Sequence, residues 1–451
     1  MPISRRSALG ALGFFSTLPA LGQAGPDGDL SPRPGNDWPS FLGPTADSVL
    51  PGPELPVWKA SGPPLLWQLE LGEGYSPPSV WRGRVYAYDR EGKEGRLRAV
   101  HLATGKELWS FTHPTDYVDN YGYDGGPRTS PVVHDGLVFI YGPEGWLHAL
   151  DALSGKLVWK RQLSRELGVV QNFFGVGSTP VATGERLLVQ VGGSPPGSDA
   201  ADFGQLKSTG SALVCLNTRT GATVWKAGED LASYSGPVLA TLGGASRVLL
   251  LGRSGLWSIQ IGSGKVDFHF PHRARPLESA NAANPVVLPG GHVLITETYG
   301  PGAALLLWKS DKPEVVWTDA DKPRGKSLQA HWCTPVACGE QVVCSSGRHE
   351  GNAELRAVDW RTGKVAWSEP GMGRCSILRV GNKLVVQAER GPVLLARVNP
   401  ARLDVQRAFF PEDKDGAPLL RSPCWAAPVM ARGHLLLRGA GRLICLDALA
   451  T

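Results

Sequence analysis

Past its first residues the sequence has no run of 18 apolar residues, so no later membrane-spanning helix is expected from it. Cysteine is scarce and unpatterned. The seven cysteines form no Cys-x-x-Cys, hence no Cys-x-x-Cys-His for covalent c-type haem. Cys333 and Cys344 could face each other across a hairpin and are the candidate disulfide, while the odd count leaves at least one free thiol. The rest read as small buried hydrophobes. No Lys/Arg block stands out, and a net charge of +5 on 451 residues is near balance, which excludes an electrostatic nucleic-acid footprint. Helical 3.6-residue periodicity is also missing, which excludes a helical solenoid.

The first residues do carry a signal. Ser4-Arg5-Arg6-Ser7 precedes an uncharged, mostly apolar run from Ala8 to Ala20, and small residues follow to Gly22-Gln23-Ala24. This order is a positive n-region, a short h-region and a small-residue cleavage site. An export signal over 1–24 is expected, and the adjacent arginines fit a twin-arginine type. Its removal takes away two arginines and no acids, leaving +3. No cysteine lies between it and Cys215, so no lipid-accepting cysteine follows the cut.

Internal repetition dominates the remainder. Leu97-Arg98-Ala99-Val100-His101-Leu102-Ala103-Thr104-Gly105-Lys106-Glu107-Leu108-Trp109 recurs as Leu147–Asp151 with Ser154-Gly155-Lys156 and Trp159. It recurs again as Leu213–Asn217 with Thr220-Gly221 and Trp225, and as Leu355–Asp359 with Thr362-Gly363-Lys364 and Trp367. Weaker copies end at Phe268, Trp317 and Phe409. From Trp67 onward these markers step by 42, 50, 66, 43, 49, 50 and 42 residues. A period of about 40–50 residues with several strands in each unit means propeller blades. The step of 66 points to an insertion around 192–210.

Each unit reads as four strands: a Ser/Thr-Pro-Val segment, a Gly-led alternating run, the Leu-x-Ala-x-Asp strand, and, after a Thr-Gly-Lys turn, a strand ending in tryptophan. The 57 glycines and 37 prolines serve these turns and strand starts. Trp67, Trp109, Trp159, Trp225, Trp317 and Trp367 are the expected blade anchors. The last unit, at Leu443–Leu446, lacks an outer strand, and Leu65–Leu69 is a spare one. The expected fold is all-β: a single eight-bladed β-propeller of four-stranded antiparallel blades, closed by pairing the N- and C-terminal strands. Residues 25–63 would be a Pro/Gly-rich lead-in and 64–451 the propeller.

These repeats resemble the pyrroloquinoline-quinone propeller family from about Trp67 to Leu446. Asp37-Trp38-Pro39-Ser40-Phe41-Leu42-Gly43-Pro44 also looks like the lead-in of many secreted bacterial members. The resemblance implies one of two branches. Quinoprotein alcohol and sugar dehydrogenases hold the quinone and calcium in the axial funnel, and the alcohol enzymes cap it with vicinal cysteines. No Cys-Cys occurs here, and no calcium set is matched. The other branch is similar to the propeller subunit of the outer-membrane β-barrel assembly machine, a non-enzymatic scaffold.

Propellers place binding groups where the innermost strand of each blade begins. The candidates are Tyr121, Tyr123, Asp124, Arg128, Gln171, Asn172, Asn284, His331, Trp332, Arg374 and Trp425. Aromatic, amide and guanidinium groups converging there would clamp a planar or anionic ligand. His331 beside Cys333 offers two metal ligands, too few for a site. The leading expectation is an exported, soluble binding or scaffold protein of the periplasm or envelope, without catalysis or a confident cofactor, engaging an envelope protein partner. A quinone- and calcium-dependent dehydrogenase and a carbohydrate-binding or hydrolytic propeller are the alternatives.

Overall fold

The computed structural model describes residues 28–450 except 53, 171–172, 276–278 and 311. The expected export signal and the candidates Gln171 and Asn172 lie outside the described residues.

Eight antiparallel four-stranded blades form the expected eight-bladed propeller. In blade 1 the strands run Ser79–Trp81, Arg84–Glu91, Glu94–His101 and Glu107–Pro114, from the axis outward. The middle strands are covered by a neighbouring blade on each face. They therefore read as unbroken apolar runs: Leu137–Tyr141 of blade 2 is buried at every position. The outer strands alternate with solvent. Blade 8 is built from both ends of the chain, with Leu65–Glu70 pairing antiparallel beside Arg442–Asp447. The long third step holds a short helix, Leu163–Leu167, and a wide loop between Arg186–Gln190 and Leu213–Asn217 that carries the 3-10 turn Ala200–Gln205.

The repeated tryptophan and the repeated turn glycine explain each other. The rings of Trp67, Trp109, Trp159, Trp225 and Trp317 lie on the turn glycine of the next blade. A Cβ on Gly105, Gly155, Gly221, Gly264 or Gly363 would come within 2.5–3.0 Å of the ring. The same glycines hold φ between +68° and +73°, so the position excludes a side chain on two counts. A register shift in the outermost pairing of each blade aims the ring across the gap. The indole N–H of Trp67, Trp159, Trp225, Trp317 and Trp367 then donates to a next-blade carbonyl, at Leu102, Thr218, Ile261, Trp360 and Asn399, over 2.7–3.2 Å.

Blade 7 corrects one sequence marker. Its equivalent of the tryptophan is Arg407, opposite Leu395, and not Phe409. Arg407 Nε donates to the Trp58 carbonyl over 2.9 Å, as an indole N–H would. Phe409 packs two residues on, edge-to-face on Trp58 with centroids 5.8 Å apart, over Gly62. The N-terminal segment thus supplies blade 8 with its turn glycine as well as its outer strand. A second expectation fails at the cysteines. All seven are unbridged and buried, and the Cys344 thiol donates to the Cys333 carbonyl over 3.2 Å.

Residues 38–50 cross the axis. Trp38 exchanges both backbone hydrogen bonds with Val80 of blade 1, and the Pro39 carbonyl accepts from Val133 of blade 2. Val49–Leu50 then adds a parallel fifth strand to blade 7, against Arg379 and Val380. Between these anchors Phe41 and Leu42 sit on the axis, and Trp38, Leu42, Leu55 and Trp58 are all buried. One end of the central channel is closed by the chain's own lead-in.

Candidate functional site

Closing one end leaves a blind funnel. It has a volume of about 230 Å³, a floor made by Phe41, Leu42 and Ser48, and walls contributed by every blade. The wall residues stand where the sequence pattern placed them, just before each innermost strand, because there the chain turns in from the rim toward the axis. The rings form a chain of contacts. Tyr75 lies 4.8 Å from Trp425, and Trp425 5.4 Å from Trp332. Trp332 is 5.0 Å from His331, Tyr123 6.0 Å from Trp425, and Phe174 5.5 Å from Tyr123 and 5.6 Å from Tyr234. Tyr121 and Tyr123 form an exposed lip on the blade 1–2 loop.

The charged candidates are already engaged. Arg128 meets Asp119 at 2.7 Å and donates to the carbonyls of Gly126 and Asp124. Asp119 also accepts the N–H groups of Tyr121 and Tyr123, so this pair ties the loop that carries the lip. Asp124 accepts from the N–H of Gly74 and of Gly126, each at 2.7 Å. Arg374 is held by Glu389 side-on, through Nε and Nη2, and lies 4.6 Å over Trp332 and 5.2 Å over Trp425. Trp425 Nε1 donates to the same carboxylate at 2.6 Å. Burial pushes the Glu389 carboxyl up, but the Arg374 and Trp425 donors outweigh it and hold the group below the usual range.

His331 lies at the rim with Nε2 3.3 Å from the Tyr299 hydroxyl. Burial, with Arg374 and Arg348 nearby, pushes its pKa down to about 3, so the ring is neutral. Its Nδ1 and the Trp332 Nε1 have no partner. Burial likewise raises Tyr75 to about 12, so the phenol keeps its proton. Asn284 stands apart from the funnel lining: its side-chain oxygen accepts from Gly236 N at 2.7 Å, linking two blades. Sequence reading missed Tyr75, Tyr299, Glu389 and the floor. Tyr75 was findable, because it precedes Ser76-Pro77 as the other candidates precede their own motifs. Glu389 and Tyr299 come from turns between middle strands, far in sequence from any innermost strand.

The donor set does not fit the quinone–calcium pair. Calcium takes about 6–8 oxygen ligands. Among the described residues no group of three or more His, Cys, Asp or Glu is placed to hold an ion. Asp119, Asp124 and Glu389 are filled by N–H donors, and the arginines an anionic quinone would need are paired internally. Nor do Ser254, His269 and Asp230 form a hydrolytic triad. The serine Oγ sits in the middle, 2.8 Å from Asp230 and 3.0 Å from His269 Nε2, so the carboxylate does not orient the imidazole.

These features define a class, an eight-bladed β-propeller with a blind aromatic funnel on its axis. Residues 93–369 match the family described as "Outer membrane protein assembly factor BamB", and the chain belongs to that family. Over 87 residues it is 37% identical to outer membrane protein assembly factor BamB of Salmonella typhimurium, a match covering 18% of this chain and 20% of that protein. Over 88 residues it is 34% identical to quinohemoprotein alcohol dehydrogenase ADH-IIG of Pseudomonas putida, covering 18% of this chain and 11% of that one. The chain matches only 11–24% of the length of such curated relatives. The crystal structure of BamB from Moraxella catarrhalis superposes with a TM-score of 0.56 at 13% identity, covering 85% of this chain and 97% of that one. The computationally designed Ika8 protein gives 0.53 at 12% identity, over 84% and 98%. At that identity the likeness is one of fold.

Proposed function

We propose that the protein is an exported binding propeller of the cell envelope, acting as a scaffold and not as a catalyst, with the aromatic funnel and its lip as the working face. The observation that carries this reading is the internal cancellation of charge. Arg128 and Arg374, the arginines of the funnel lining, are engaged in holding rings and loops in place. What remains is an aromatic surface, whose side chains are ordered on binding at low entropic cost. Membership in a family described as an assembly factor supports a protein partner. The Arg5-Arg6 segment supports export, with cleavage after Ala24, a lead-in over 25–63 and the propeller over 64–451.

The test is a photo-crosslinking amino acid placed in the native host at Tyr121, which is 55% exposed, and as a control at Leu153, 43% exposed in the turn before Gly155. Discrete adducts from Tyr121 alone are expected. Equal adducts from both positions, or none from Tyr121, would overturn the assignment of the working face.

A further inference from the structure

Three features of the funnel together limit what can occupy it. The mouth presents ring faces: Tyr75, Tyr123, Phe174, Tyr234, Trp332 and Trp425 surround the opening at tilts of 50–80° to their neighbours. The two arginines of the lining are matched, Arg128 by Asp119 and Arg374 by Glu389, which weakens the pull of either on an anionic ligand. The floor is closed by Phe41 and Leu42, so a strand cannot thread through and the seat takes an end.

We propose that this seat binds a neutral sugar ring, the terminal residue of a glycan, stacked on Trp425 with its hydroxyl rim toward His331 and Trp332. The proposal rests on the binding reading above and names the ligand class of that same site. A pyranose has an apolar C–H face to lie against an indole and a rim of hydroxyls that each donate and accept. That second property answers an oddity of the site. His331 Nδ1 and Trp332 Nε1 have no partner, and both are sealed from water in the free protein. A hydroxyl satisfies an imidazole nitrogen in either tautomer and accepts from an indole N–H. An apolar side chain from a protein partner would fill the funnel and leave both nitrogens unpaired. Because both nitrogens are sealed, the His331 and Trp332 rings must turn for the ligand to reach them, and the motion of Trp332 has an optical signature.

The Glu389 carboxylate is a positioning group in this scheme. It holds Arg374 against both indoles and takes the Trp425 N–H, so the Trp425 ring is set before ligand arrives. Arg128, also in the lining, ties the loop beneath the lip through Asp119.

The experiment uses the full chain without its first 24 residues. Cellotriose, maltotriose and the N-acetylglucosamine trimer are titrated by calorimetry and by tryptophan fluorescence. The cationic glucosamine trimer, the anionic galacturonate trimer and a phenylalanine-bearing peptide serve as comparisons. At least one neutral trimer should bind saturably and shift the tryptophan emission, and the charged trimers should bind at least about tenfold more weakly. Trp332→Ala should weaken binding about tenfold or more. Tyr123→Ala, at a residue 50% exposed and so harmless to folding, should weaken it measurably, and Glu389→Gln should reduce both affinity and the emission shift. No saturable binding of any neutral trimer up to about 10 mM, tighter binding of a charged trimer or the peptide, or unchanged affinity in Tyr123→Ala would sink the proposal. If the sugars fail while crosslinking from Tyr121 persists, the ligand class falls and the binding reading stands.

Discussion

Trp109 is the anchor that breaks the pattern. Its Nε1 has no partner, although the Ala152 carbonyl stands where the other indoles find their acceptor. That carbonyl is taken by the Tyr86 hydroxyl at 3.0 Å. The two exchanges Trp109→Phe and Trp159→Phe remove similar apolar area, but only the second breaks a hydrogen bond, the one to Thr218. A net bond contributes about 1 kcal/mol, and an orphan buried N–H costs about 1–3 kcal/mol. Trp109→Phe should therefore be the milder change by about 1–3 kcal/mol in urea unfolding, and a reversed order would count against this account. Histidine gives a second residue-scale expectation. Burial holds His148 at about 3 and His272 at about 4, against 6.5 when unfolded. Below about pH 6.5 the unfolded chain takes up protons that the native state refuses, so stability falls with falling pH, by up to about 1.4 kcal/mol per unit for each ring. The midpoint in urea should be flat from about pH 7.5 to 7 and drop toward pH 5, and His148→Phe should make that slope shallower.

At the scale of the element, the blade was readable and its partnerships were not. Four strands per unit follow from alternation, turn glycines and the proline that opens the inner strand. The sequence also marks the tryptophan and the Thr-Gly-Lys turn as fixed points. It does not state that the tryptophan of one repeat needs the glycine of the next, because that contact spans 38–62 residues and leaves no local pattern. The same limit produced the Phe409 error, since only strand register shows Arg407 opposite Leu395. Gly155 offers the test. An added methyl would lie 2.5 Å from the Trp109 ring at a residue with φ of +71°. The left-handed conformation alone costs a non-glycine residue about 1–2 kcal/mol. Gly155→Ala should thus destabilise by about 2 kcal/mol or more. The same change at Gly136, which has φ of +75° and nothing within 4 Å, should cost only the backbone part. Equal losses at the two sites would show that ring and glycine are not coupled.

For the whole molecule, the N-terminal segment does two separable jobs. Residues 58–70 complete blade 8, with Gly62 under Phe409 and Leu65–Glu70 on the sheet edge. Residues 38–50 close the funnel floor and bind blades 1, 2 and 7 together. The closing strand was legible because the last repeat lacks one. The floor was not, since no repeat logic says where a lead-in runs once it leaves the sheet. Two truncations separate the jobs. A chain beginning at residue 52 loses buried Trp38, Leu42 and Leu50 but keeps the closing strand. Burying such side chains contributes about 1.5–3 kcal/mol each, so this variant should remain a monomeric propeller with a lowered melting temperature and a funnel open at both ends. A chain beginning at residue 72 leaves Arg442–Asp447 as a bare edge and Phe409 uncovered, and it should melt without cooperativity and associate through that edge. Size exclusion and calorimetry on the pair decide the matter: were both to stay monomeric and melt alike, latching by the terminal strand would not be what holds the ring.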